Sequence, residues 1–146
     1  MSRSGYSDEW DGDGVPPQFY QEAVIRAANG KRGQAFLRKL AAHMDAMPEK
    51  KLVAHDWVAD DGAACALGVV LQAERPDLAE QSTNWDTDDD WGVRYIARQL
   101  DIANSLAAEI VYVNDEGGQW RHGDQPETPE QRWERVRRWV AGAIRP

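Results

Sequence analysis

The chain has one cysteine, Cys65, so it forms no internal disulfide, and packing alone must hold it together, as suits a reducing compartment. Histidine is nearly as scarce. His43, His55 and His122 stand far apart and at no zinc-ligand spacing with Cys65, which leaves no metal signature and no cofactor motif. Long apolar runs are missing as well. The longest, "AACALGVVL" (63–71), is less than half of what a membrane-spanning helix requires. The opening "MSRSGYSDEWDGDG" lacks the apolar segment of a secretory signal, so a cytoplasmic location is expected, with no membrane partner. Positive charge is also in deficit: 17 Lys and Arg against 25 Asp and Glu give a net charge of −8. Such a molecule repels phosphate at long range. Direct nucleic-acid binding is therefore not expected, and a partner with a basic surface is.

What is present is a globular composition, 42% hydrophobic, in a length that suits one domain. Residues 1–16 are rich in Gly, Ser and Asp and read as a flexible arm, ahead of a single helical domain over 17–146. Apolar residues recur at three- and four-residue spacing through "PPQFYQEAVIRAAN", "FLRKLAAHM", "GVRYIARQL" and "SLAAEIVYV". "ACALGVVLQAE" is apolar almost all round and should be the most buried helix, ending at Arg75-Pro76. "TPEQ" (128–131) is a capping box with proline at the first helical position, opening a last helix with Trp133, Val136, Val140 and Ile144 inward. Leu52, Val53, Trp57 and Val58, followed by the turn pair Asp61-Gly62, predict a short β-hairpin. The expected class is thus mainly α (α+β): a compact domain of about five to six helices with one short hairpin.

Chemistry is sparse, and no catalytic residue is expected. Cys65 lies in an apolar helix, where a thiol behaves as a small core residue. The stretch that stands out is "NWDTDDDW" (84–91). Asp86, Asp88 and Asp90 match the first three ligand positions of a calcium loop. Trp91 then stands where glycine is required, and Ala97 where the bidentate glutamate belongs. The calcium reading fails. As a helix start the run makes sense, because acids in a first turn complement the dipole and free amides. One or two suffice for that, and the surplus repels itself unless it meets water or a partner's cations. Trp85 and Trp91 beside it are typical interface anchors. Trp85, Asp86, Asp88, Asp89, Asp90 and Trp91 are accordingly the expected partner-binding residues. An alternative is a small-molecule or nucleotide site built from Lys31 and Arg32 of "NGKRG" with Asn114, Asp115 and Glu116 of "VNDEGG". Each half also has a plain structural reading, as a helix–helix turn and a helix end.

Three segments together, "RAANGKRGQAFLRKLAAHMDAMPEKKLVA" (26–54), "CALGVV" (65–70) and "EIVYVNDE" (109–116), with "TPEQRWERVRRWV" behind and "MSRSGYSD" in front, resemble a group of small phage- and prophage-encoded proteins. The resemblance implies a bacteriophage or prophage origin and a bacterial host cell, and it brings no activity and no catalytic residues. It does not extend to "NWDTDDDW". Small acidic phage proteins without enzyme motifs often act by binding, including inhibitors of host defence. An acidic surface can occupy a groove lined with Lys and Arg for phosphates. The function expected is a non-enzymatic, anti-CRISPR-like or other anti-defence inhibitor with a nucleic-acid-mimicking face.

Overall fold

The computed structural model describes residues 17–116 and 125–146. The proposed arm over 1–16 lies outside them. Seven helices are found among the described residues: α1 (Pro17–Asn29), α2 (Lys31–Ala46), α3 (Ala66–Glu74), α4 (Pro76–Gln81), α5 (Asp90–Gln99), α6 (Asn104–Asp115) and α7 (Pro129–Ala143).

Helices α2, α3 and α6 form the centre. α3 packs between α2 and α6, α1 lies across α2 and α6, α5 covers α6, and α7 closes over α2. The core is built from Leu37, Leu40 and Met44 of α2, Leu67, Val70 and Leu71 of α3, Ile96 of α5, Leu106 and Ile110 of α6, and Val136 and Val140 of α7, all fully buried. α3 is buried over Ala66–Leu71, as its unbroken apolar sequence requires.

The "NGKRG" segment is a tight helix junction. Gly30 is the N-cap of α2, and a Cβ on Gly33 would lie 1.8 Å from the Ala27 carbonyl oxygen, so only glycine lets the two backbones cross there. Buried Gln34 secures the junction. Its amide donates to the carbonyls of Ala28 and Ala143, and its oxygen accepts from the Arg145 N–H, joining the ends of α1 and α7.

Two expectations are corrected. Apolar periodicity predicts five to six helices, and the additional one is α4. Arg75-Pro76 does end α3, but Pro76 also occupies the first position of α4, where its missing N–H costs nothing. A six-residue helix is too short for its periodicity to be visible. The hairpin is also reduced: no strand forms among the described residues. The turn itself closes, with the Ala59 N–H donating to Ala63 O and the Gly62 N–H to Ala59 O, but pairing stops at one Val58–Ala64 bridge. The cause is that residues 56–58 divide their bonds between two neighbours. Trp57 accepts from the Cys65 N–H on one side and donates to Trp85 O on the other, and Cys65 immediately caps α3.

A candidate acidic and aromatic interface

That division of bonds assembles the most distinctive surface of the molecule. Segment 83–87 lies alongside 55–58 through an antiparallel Asp56–Asp86 bridge and a parallel Val58–Thr83 bridge. The Asn84 N–H donates to Val58 O, the Asn84 amide donates to the Asp60 carboxylate, and the Thr87 N–H donates to His55 O. Asn84 and His55 adopt left-handed backbone conformations (φ 63° and 71°), which keep the two segments from pairing beyond isolated bridges. Asp56 and Asp60 thereby join Asp86, Asp88 and Asp89 in one acidic region.

The aspartates of the run are not equivalent. Asp89 is the N-cap of α5 and accepts from the Trp91 N–H at 3.1 Å. Asp90 pairs with Arg94 one turn later at 2.9 Å. Asp86 accepts from the Asp88 N–H at 2.8 Å, which shapes the loop without neutralising it. No cation among the described residues pairs with Asp56, Asp60, Asp86, Asp88 or Asp89. Helix capping therefore accounts for Asp89 and partly for Asp90, and for none of the others.

Beside the carboxylates stands an aromatic cluster. Trp91 and Tyr95, one turn apart on α5, lie parallel with centroids 5.5 Å apart. Trp85 is tilted against both at 6.3 and 6.2 Å. Trp91 is 64% exposed, unusual for so large an apolar ring, while Trp85 and Tyr95 are half-buried. Tyr95 extends the expected contact set; its spacing of four from Trp91 on a helix was the signal for it. Beneath the patch Trp57 is fully buried, and its indole N–H has no acceptor among the described residues.

Behind the loop, a buried polar cluster fixes its position. Asp115, with a fully buried side chain, accepts from the His55 N–H, the Asn114 amide and the Thr87 hydroxyl. Asn114 also accepts from the Ala66 N–H at the start of α3 and donates to Val53 O. An acid at a helix C-terminus opposes the dipole, and these donors offset it. Asp115→Ala would strand the Thr87 hydroxyl and the His55 N–H. A loss of about 1–3 kcal/mol in urea unfolding is expected, together with faster amide exchange over 84–90. Unchanged exchange there would mean that Asp115 does not hold the loop.

The alternative ligand residues are not brought together. Lys31 and Arg32 begin α2, and Arg32 pairs with Asp101, just before the start of α6. Asn114, Asp115 and Glu116 lie at the opposite end of that helix. At about 1.5 Å per residue, α6 separates the halves by roughly 15 Å. A cleft of ≈ 510 Å³ does exist between the end of α2, the 61–64 turn and Pro129, but none of those five residues lines it. Cys65 is buried, and desolvation together with nearby Asp115 pushes its thiol up to about 12, the opposite of what a nucleophile needs. Among the described residues no group of three or more His, Cys, Asp or Glu could hold a metal, and no helix is long and apolar enough to cross a membrane.

No protein-family model, curated protein or solved structure matches this chain.

Proposed function

We propose that this is a phage- or prophage-encoded binding protein that inhibits a host defence complex by presenting its acidic face to a basic, nucleic-acid-binding groove. One observation carries the reading: Asp56 and Asp60 converge with Asp86, Asp88 and Asp89 of a separate loop, none of them paired with a cation among the described residues, beside a tryptophan left 64% exposed. Like charges gathered in this way repel one another in the free protein, and they gain when a cationic surface meets them. The net charge of −8 speeds encounter with such a surface and disfavours nucleic acid itself. The "GKRGQAFLR", "CALG" and "NDE" segments support the phage origin.

The test uses Asp56, Asp86 and Asp88, which neither cap α5 nor pair with Arg94. Reversing all three to lysine, at two charge units each, takes the net charge from −8 to −2. The protein is expressed in a panel of bacterial strains, each carrying one nucleic-acid-guided or DNA-cleaving defence system, and phage plating efficiency is measured. Protection by the wild type in at least one strain, lost in the triple variant, is expected. Protection in none, or protection that survives the reversal, would sink the reading.

A further inference from the structure

We propose that the Trp91–Tyr95 platform receives an arginine side chain of the partner, with Asp86, Asp88 and Asp89 closing on its guanidinium. This rests on the reading of the acidic face as a binding surface and names the group that it recognises.

The two rings set the geometry. Trp91 and Tyr95 are parallel within 1°, and a centroid separation of 5.5 Å leaves no room for a group between them. The face on offer is therefore the outer surface of the exposed Trp91 indole. A flat, solvent-facing ring takes another aromatic ring, a nucleobase or a cation. The surrounding charge decides among these. A nucleobase brings phosphate, which Asp86, Asp88 and Asp89 repel, and an uncharged ring leaves those carboxylates unanswered. A cation satisfies both at once.

Geometry then favours arginine over lysine. A planar guanidinium stacks on the indole while its edge N–H groups reach carboxylates in the ring plane. An ammonium is a compact, strongly hydrated point charge that gains less from a flat surface. The first turn of α5 also holds an unfinished arrangement. The Trp57 indole N–H is fully buried without an acceptor among the described residues, and it lies 3.8 Å from the point a Cβ on Gly92 would occupy. The second oxygen of the Asp89 carboxylate lies 3.9 Å from the same point. Unsatisfied buried donors are rare in folded chains. A guanidinium bound at Asp89 changes the surroundings of that N–H, which makes the Trp57 indole signal a reporter of binding there.

The experiment titrates the full-length protein with two hexapeptides of equal charge, hexa-arginine and hexa-lysine, at 150 mM salt. Binding is followed through the indole N–H signals of Trp57, Trp85 and Trp91 in ¹H–¹⁵N NMR spectra. Hexa-arginine is expected to bind about threefold to tenfold more tightly, shifting the Trp91 and Trp57 signals. Trp91→Leu should equalise the two peptides while leaving residual, salt-sensitive binding. Because Trp91 is exposed, this variant is expected to stay folded and to lose only the few degrees of melting temperature that its ring contacts with Tyr95 and Trp85 supply. Equal affinities for the wild type, a preference that survives Trp91→Leu, or no binding of either peptide would each overturn the proposal. None of these results touches the plating assay, so the acidic-face reading stands or falls separately.

Discussion

Gly68→Ala is expected to destabilise the protein by roughly 2–3 kcal/mol in urea unfolding, although helix propensity alone argues the other way. Gly68 lies inside α3, where alanine would ordinarily gain about 1 kcal/mol. A Cβ there would sit 1.9 Å from the Trp57 carbonyl oxygen and 3.0 Å from the Ala64 Cβ. The oxygen is backbone and accepts from the Cys65 N–H, so it cannot swing aside as a flexible side chain would. α3 would have to lift from the 56–58 segment, or the segment from α3. Since Trp57 also donates to Trp85 O, the displacement should reach the acidic loop as well. A variant more stable than wild type would show that α3 does not pack on Trp57 as described.

The second large effect is expected at Arg135. Its side chain is 9% exposed, and it pairs at 2.7 Å with Glu127, itself only 4% exposed. The same guanidinium donates to the carbonyls of Val113 and Asn114, two of the acceptors left open at the C-terminal end of α6. Arg132, also bonded to Leu52 O, lies 3.4 Å from Glu127 and is a second cation beside it. Burial pushes Arg132 below its ordinary value, which marks this as a costly place to hold charge. Arg135→Ala removes the 2.7 Å ion pair with Glu127 and the bonds to two carbonyls. A loss of about 3 kcal/mol or more is expected from urea unfolding. Adding Glu127→Gln should restore part of it, because the buried carboxylate that lost its Arg135 partner is then neutral. If the double variant is no more stable than the single, the cost lies in the α6 carbonyls rather than in the ion pair.

These two positions show what kind of information was legible in the chain. The amphipathic helices stand where three- and four-residue apolar spacing puts them, and the Thr128–Gln131 capping box forms as its residues dictate. Periodicity depends on local sequence, and these elements bury one face regardless of their neighbours. α4 was illegible because six residues supply no repeating stripe, and proline reads equally as a stop or a start. The hairpin failed for a different reason. Leu52, Val53, Trp57 and Val58 have strand propensity, but hydrogen-bond partners are chosen by the tertiary fold, and here they are split between Cys65 and Trp85.

The candidate site divides in the same way. That "NWDTDDDW" caps a helix and carries more charge than a cap uses is a local property, and composition and helix-capping rules suffice to state it. Which aspartate caps, which pairs with Arg94 and which stay unpaired depends on side-chain geometry around the first turn of α5. That Asp56 and Asp60 belong to the same surface, and that Thr87 is anchored on Asp115 nearly thirty residues away, depends on contacts between segments distant in sequence. The sequence by itself determined the helical class, the low positive charge and the acidic run, because each follows from residue type and local spacing. Only the tertiary structure decided that the run becomes part of a two-loop acidic face beside an exposed indole, because that requires backbone bonds between segments no local rule pairs.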